Sequence, residues 1–196
     1  MPIKDMHTTV LEVTHSEPLS YVLSLAKQLA LIIPELIYLP ITTHGCRLVK
    51  PLITFDAAGV ALSFVPQSQI LSKGRDHSIP TIHHLRGTLW QRMTNTGVAI
   101  QSRYRVPTAH ITLARFVSGG TTNVTTLSPA VDEQYFECSM ETVRMFMDTI
   151  EQLNEVLEND MTVWEVNDEL VCRVGDLWYG GGWTVDPKTP EARPKH

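Results

Sequence analysis

The sequence predicts an α+β protein in which antiparallel strands are flanked by helices. Three segments repeat apolar residues at spacings of three and four, which is typical of helices. Between and after them lie short runs rich in Val, Ile, Leu and Phe, the composition of β-strands. The runs at 47–55 and 60–65 are joined by Asp56-Ala57-Ala58-Gly59, which is short enough for an antiparallel hairpin.

Three helices are predicted, at 19–33, 81–95 and 140–157. Ser16 and Pro18 precede the first helix, where a capping residue and an early proline are favourable. Pro34 follows that helix, and Gly97 closes the second one. The third helix has its apolar residues along one side, and we expect its methionines to fill the core.

Further strands and loops complete the predicted domain. Strands are predicted at 7–13, 98–104, 108–116, 163–166 and 170–174. The polar stretches 67–80 and 119–130 are predicted to be loops. Residues 1–186 are expected to form one domain of two lobes, and residues 187–196 a flexible tail.

Composition and charge narrow the class of protein and of partner. The chain of 196 residues has a net charge of −5, which disfavours a long nucleic-acid groove but permits a small nucleotide or an RNA end. Its three cysteines show neither a disulfide framework nor a metal-binding spacing, which suits a reducing compartment. With no apolar leader and no spanning segment, we expect a cytoplasmic protein without membrane contact.

A His-x-Thr motif occupies the predicted strand at 108–116. Side chains alternate along a strand, so His110 and Thr112 point to one face, with Cα atoms about 7 Å apart. Ile111 and Leu113 point to the opposite face, towards a core. An imidazole and a hydroxyl on one face can hold a proton carrier beside a phosphate oxygen, although a structural histidine is the alternative for a single motif.

A second copy of the motif lies near the start of the chain, where His7 and Thr9 are again two residues apart in a β-branched run. Two such strands indicate a duplicated scaffold. In that scaffold the two histidines would face one another across a cleft.

The two motifs together resemble those of the two-histidine (2H) phosphoesterase superfamily. The sequence also resembles the fungal proteins described as RNA ligase or cyclic nucleotide phosphodiesterase-like. The similarity covers nearly the whole chain, through residues 7–16, 48–53, 83–86, 102–116 and 177–182. It implies two lobes with antiparallel sheets, related by a pseudo-twofold axis, with a central cleft between them.

The resemblance implies metal-independent hydrolysis of 2′,3′-cyclic phosphates of nucleotides or RNA ends, without a cofactor. One histidine would take a proton from water and the other would protonate the leaving ribose oxygen. Thr9 and Thr112 would donate hydrogen bonds to the phosphoryl oxygens. Two alternatives remain open: an RNA end-processing exonuclease or ligase, and a non-catalytic nucleotide- or RNA-binding module.

Members of the resembling family have a strand and a helix before the first motif, whereas six residues precede His7 here. We therefore expect an exposed sheet edge near His7. Exposed edges offer free N–H and C=O groups to another strand, so a second copy of this chain is an expected partner besides the substrate. Cover of the edge by a loop or by the C-terminal tail is the alternative.

Four further residues are candidates for substrate binding. Trp178 and Tyr179 could stack on a nucleobase, with Gly180 allowing close approach of the backbone. Core aromatics beside a tight turn are the alternative for these three. Arg47 could approach an anionic substrate, unless it only solvates a strand edge. The remaining histidines show no metal-binding spacing, and His83 and His84 are expected to have a core or capping role.

Overall fold

The computed structural model describes residues 6–43, 45–67, 69–72, 75–78, 80–101, 109–116, 139–175 and 181–188. Its helices are α1 (Leu19–Leu29), α2 (Ile33–Ile37), α3 (Leu39–Thr42), α4 (Ile82–Thr94) and α5 (Met140–Glu158). Its strands are β1 (Cys46–Phe55), β2 (Gly59–Pro66), β3 (Gln69–Ser72), β4 (Arg75–Ser78), β5 (Ala109–Arg115), β6 (Trp164–Val166), β7 (Arg173–Val174) and β8 (Trp183–Thr184). The α+β class is confirmed.

A four-stranded antiparallel sheet in the order β5-β2-β1-β6 forms the centre of the protein. The predicted hairpin between β1 and β2 is confirmed. Its turn is held by Asp56, whose Oδ1 accepts hydrogen bonds from the N–H groups of Ala58 (2.7 Å) and Gly59 (3.0 Å). A side chain at residue 59 would lie 2.3 Å from the Ala114 carbonyl oxygen, so glycine lets β2 approach β5.

Strand β1 carries a bulge at Lys50 and Pro51, where the pairing with β2 shifts between Val49 and Leu52. Lys50 adopts a positive φ of 55°. Pro51 has no N–H to donate, so a regular ladder is interrupted there in any case. The bulge separates the half of β1 that pairs with β6 from the half that contacts α5.

Asn154 of α5 takes the place of a strand neighbour for β1. Its Oδ1 accepts a hydrogen bond from the Ile53 N–H (2.7 Å), and its Nδ2 donates to the Ile53 carbonyl (3.1 Å). We expect Asn154→Ala to lower the free energy of unfolding by about 1–3 kcal/mol, because both backbone groups lose their partner. Urea denaturation measures this, and Gln152→Ala, at an exposed position on the same helix, is the matched control. Equal stability of the two variants would contradict the role of Asn154.

Three clusters of buried side chains form the core. The first joins α1 to β7 and β8, the second joins the central sheet to Ile82 of α4, and the third joins α2 and α3 to α4. The segment before α1 contacts all three: Met6 packs on the second cluster, Val10 and Leu11 on the third, and Val13 on the first.

Because the segment passes along all three clusters, the predicted strand at 7–13 is too long. Within it, only Thr8 forms a β-bridge, with Ile111. Beyond Thr9 the segment leaves the sheet edge, because its apolar residues pack between helices rather than on alternate faces of one sheet.

The first predicted helix, at 19–33, is also too long. Proline has no N–H and its ring clashes with the carbonyl four residues earlier, so Pro34 is incompatible with a helix that continues through Ala30. The helix α1 therefore ends at Leu29, and Pro34 lies in the first turn of the new helix α2.

One loop prediction and two strand predictions are corrected as well. The stretch 67–80, predicted as a loop, contains the antiparallel pair of β3 and β4, in which Ser72 pairs with Arg75. Residues 98–101 are not in a strand, and residues 102–104 lie outside the described residues. The predicted strand at 170–174 shortens to β7.

The helix predicted at 140–157 is confirmed as α5, but its apolar side is not core. Ile150 is the buried residue of this helix, and Phe146 stacks edge-on against Phe55 and Phe116. Met140, Met145 and Met147 are 69%, 64% and 45% exposed, so the expectation that the methionines fill the core is wrong.

The remaining predictions concern regions or properties that the described residues do not reach. The loop at 119–130 and residues 189–196 of the predicted tail lie outside them. No helix in the described ranges has the length and apolar character needed to cross a membrane. Location in the cytoplasm and self-association through a sheet edge stay predictions.

Candidate functional site

The second motif lies on β5 with the predicted alternation of faces. Ala109 and Ile111 are 0% and 3% exposed and belong to the core of the central sheet. His110 and Thr112 are only partly buried and lie on the opposite face. Local sequence thus accounts for this half of the site.

The first motif lies beside the second one. Thr8 and Ile111, the middle residues of the two motifs, form an antiparallel β-bridge. Directly opposed residues share a face, so a regular ladder continued from this bridge would put His7 opposite Thr112 and Thr9 opposite His110 on the partly exposed face. In such a ladder the two histidines would be diagonal neighbours, about 7–8 Å apart at their Cα atoms.

The position of the bridge gives the pair of motifs a local twofold symmetry. An antiparallel pair has a twofold axis through any bridge, and here that axis passes between the two middle residues. It therefore exchanges His7 with His110 and Thr9 with Thr112. The hydroxyl of Thr8 lies on the other, buried face and has no hydrogen-bond partner among the described residues.

Strand β2 extends the polar face on the other side of β5. Ser63 pairs with His110, and Ala61 pairs with Thr112. The hydroxyls of Ser63 and Thr54 are hydrogen-bonded to each other at 2.7 Å. Sequence reasoning missed Ser63, because its place beside His110 depends on the register between two strands that are distant in the chain.

Arg86 of α4 lies behind the motifs and is 7% exposed. Its Nε donates a hydrogen bond to the Val10 carbonyl at 2.9 Å, and its Nη2 makes a longer contact of 3.5 Å with the Thr9 carbonyl. Sequence reasoning assigned no role to Arg86. A signal was present, because Arg86 shares the apolar side of α4 with Ile82 and Leu89 at helical spacing.

Burial and charge perturb the titration of His110. Its pKa is below the ordinary value of 6.5, first because the ring is partly buried, and second because the positive charge of Arg86 opposes protonation. The carboxylate of Asp56 acts in the opposite direction. A neutral imidazole can accept a proton, so His110 is suited to the role of a base near neutral pH.

The two described cysteines are poor nucleophiles. Burial raises the pKa of both Cys46 and Cys172 to about 11, although Arg86 acts in the opposite direction on Cys46. A thiol with such a pKa stays protonated at neutral pH. Both are free thiols, and Cys138 lies outside the described residues.

Arg47 lies on the same face as the motifs but at a distance from them. Val49 pairs with Val65 of β2, so Arg47 shares a face with Ser63, four residues further along the sheet or roughly 13 Å away. Its guanidinium pairs with Glu165 at 2.8 Å, both side chains being partly exposed. The predicted binding residues Trp178, Tyr179 and Gly180 lie outside the described residues.

Other histidines have structural contacts. His84 completes a capping box at the start of α4, where its Nδ1 accepts a hydrogen bond from the Thr81 N–H at 3.1 Å. His15 Nδ1 lies 3.0 Å from Glu12 Oε1. The capping role expected for His84 is confirmed. No group of three or more His, Cys, Asp or Glu side chains suited to a metal ion occurs in the described part of the chain.

A separate open cavity of about 300 Å³ lies at the start of α4, lined by residues such as Thr43, Thr81 and Thr88. It shares no residue with the two motifs, so the polar face of the sheet and this cavity are distinct surfaces.

Comparison with protein-family models, with curated proteins and with solved structures gives no match to this chain. The site is therefore interpreted from its own geometry: two imidazoles and three hydroxyls (Thr9, Thr112 and Ser63) on one sheet face, with a buried guanidinium behind them. Such a face can bind a phosphoryl group and exchange protons with it on both sides.

Proposed function

We propose that this protein is a 2H-type phosphoesterase that hydrolyses 2′,3′-cyclic phosphates of nucleotides or of RNA ends. The observation that carries the proposal is the bridge between Thr8 and Ile111. It brings together two His-x-Thr motifs that are far apart in sequence, and it does so at the register that relates them by a twofold axis.

The reaction suits the arrangement of groups. Water attacks phosphorus as one histidine removes its proton, and the bond to one ribose oxygen breaks as the other histidine protonates that oxygen. Attacking and leaving oxygens lie on opposite sides of phosphorus, and diagonal histidines about 7–8 Å apart at Cα can flank such a group. Thr9 and Thr112, on the other diagonal, are placed to donate hydrogen bonds to the remaining phosphoryl oxygens.

The proposed architecture is the two-lobed one of that superfamily. The twofold relation between the motifs supports this architecture. The axis of that relation lies at the outer edge of β5, which is the last strand of the described four-stranded sheet. The motif face of the sheet would line the central cleft.

Two alternative functions are distinguished by their products. An RNA end-processing exonuclease or ligase would use the same face but would shorten or join strands. A non-catalytic module would bind a nucleotide without turnover. Hydrolysis is favoured because two histidines from distant segments accompany the hydroxyls at one sheet edge, and binding of a phosphate alone requires no pair of proton carriers.

The proposal is tested by incubating the purified protein with 2′,3′-cyclic nucleotides in excess EDTA and identifying the monophosphate formed. We expect turnover at the same rate with and without EDTA, because both proton transfers belong to histidines. Loss of activity in EDTA, with recovery on adding Zn²⁺ or Mn²⁺, would contradict the two-histidine mechanism. Binding of the nucleotide without any product would favour the non-catalytic alternative.

A further inference from the structure

Arg86 belongs to neither motif, but its charge and position suit it to support the motif site. A guanidinium is rarely buried, because taking the charge out of water is costly unless the surroundings compensate for it. Arg86 is nevertheless 7% exposed, and its Nε–H is directed at the Val10 carbonyl. The guanidinium thus contacts the backbone immediately after the first motif.

The contact explains how a short, irregular segment can present two catalytic groups. Residues 6–13 form no regular strand, and Thr8 bridges to β5 at a single point. The Arg86 hydrogen bond to the Val10 carbonyl fixes the segment one residue after Thr9. The bridge and the guanidinium together therefore hold His7 and Thr9 in register with His110 and Thr112.

The same guanidinium is close enough to act electrostatically on groups of the central sheet. It opposes protonation of His110 and favours ionisation of Cys46. Among the described residues, the other groups that bear on His110 are Asp56, from the β1–β2 turn, and His7, from the neighbouring segment. The carboxylate of Asp56 favours the protonated form of His110, and it acts more weakly than Arg86.

We infer that Arg86 is a positioning residue of the motif site, which anchors the first motif through the Val10 carbonyl and places a buried positive charge near His110, so that His110 is the base and His7 the acid. The assignment of His110 as base and His7 as acid rests on the proposed hydrolysis. In that reaction a proton moves from water to His110, and the water oxygen bonds to phosphorus. The P–O bond to one ribose oxygen breaks, and the proton of His7 moves to that oxygen. Proton exchange with solvent then restores both histidines.

Two substitutions separate the charge of Arg86 from its hydrogen bonding. Arg86→Gln removes the charge and keeps an N–H donor for the backbone carbonyls, whereas Arg86→Lys keeps the charge on a single ammonium group. Arg92→Met removes an arginine from the same helix that pairs with Glu35 at the surface, and it is the matched control.

The test is an NMR titration of the histidine ring protons, with the His110 signal assigned by its absence from His110→Gln. We expect His110 of the unaltered protein to titrate below 6.5, to titrate at a higher pH in Arg86→Gln, and to keep its low value in Arg86→Lys and Arg92→Met. An ordinary pKa in the unaltered protein, or no change in Arg86→Gln, would overturn the inference. This measurement needs no turnover, so it can fail or succeed independently of the proposed hydrolysis.

Two further readouts address anchoring and catalysis. Amide hydrogen exchange at residues 8–10 should be faster in Arg86→Met than in Arg92→Met, and equal rates would refute the anchor. Where hydrolysis is observed, activity should be lost as pH falls through the pKa of the base. That acid limb of kcat/KM should move to higher pH in Arg86→Gln and stay in place in Arg86→Lys. An unmoved limb in Arg86→Gln would refute the assignment of His110 as the base.

Discussion

Replacing either motif histidine, in His7→Ala or His110→Ala, should lower kcat for a 2′,3′-cyclic nucleotide by about 10²-fold or more. This is the usual cost of losing a positioned acid or base. Both variants should be affected, because hydrolysis needs one proton acceptor and one proton donor on opposite sides of phosphorus. Steady-state kinetics in EDTA measure the effect.

His83→Ala is the matched control, since His83 is an exposed histidine at the start of α4 and is outside both motifs. It should keep the kcat of the unaltered protein. Thr9→Val and Thr112→Val should each cost less than the loss of a histidine, because the proton transfers remain. Unaltered turnover in His7→Ala or in His110→Ala would show that the residue concerned is not a proton carrier.

The largest expected effect on stability is at the residue between His110 and Thr112. Ile111 is 3% exposed and packs in the core cluster of the central sheet. Ile111→Ala should lower the free energy of unfolding by about 2–5 kcal/mol, because the lost side chain leaves a cavity in a packed interior. Urea denaturation of both proteins at neutral pH measures the difference.

Thr112→Val is the matched control for Ile111→Ala, because it changes the next residue of β5 on the opposite face. Its stability should change by less than about 1 kcal/mol, while its turnover falls. The pair of variants thus separates the packed face of β5 from its chemical face. A large loss of stability in Thr112→Val with little loss in Ile111→Ala would show that the two faces have been assigned the wrong way round.

Much of the fold could be predicted because its signals are local. The helices α4 and α5 follow from apolar spacing, and the β1–β2 hairpin follows from its turn residues. The predicted end of α1 is too late because the apolar spacing continues past Leu29. Pro34 prevents a continuous helix from Ala30 onwards, because its ring would clash with the carbonyl four residues earlier. The apolar side of α5 is exposed, so the spacing of apolar residues predicts a helix but not what packs against it.

Of the candidate site, the sequence indicated the two motifs but not how they come together. The spacing in each His-x-Thr motif predicts that its His and Thr side chains share one face of the strand. The bridge between Thr8 and Ile111 is consistent with that prediction. The sequence could not supply that register, because it depends on a pairing between distant segments. For the same reason it did not bring Ser63 beside His110 or place Arg86 behind the motifs.

The most direct test of the account is an NMR titration with a nucleoside 2′-monophosphate, followed at the backbone amides. The two motifs are predicted to form one phosphate site, so amides near Thr8 and near Ile111 should shift together and saturate at the same ligand concentration. Shifts centred on the cavity at the start of α4, around Thr81 and Thr88, would contradict that claim. So would shifts at one motif that leave the other unchanged at saturation.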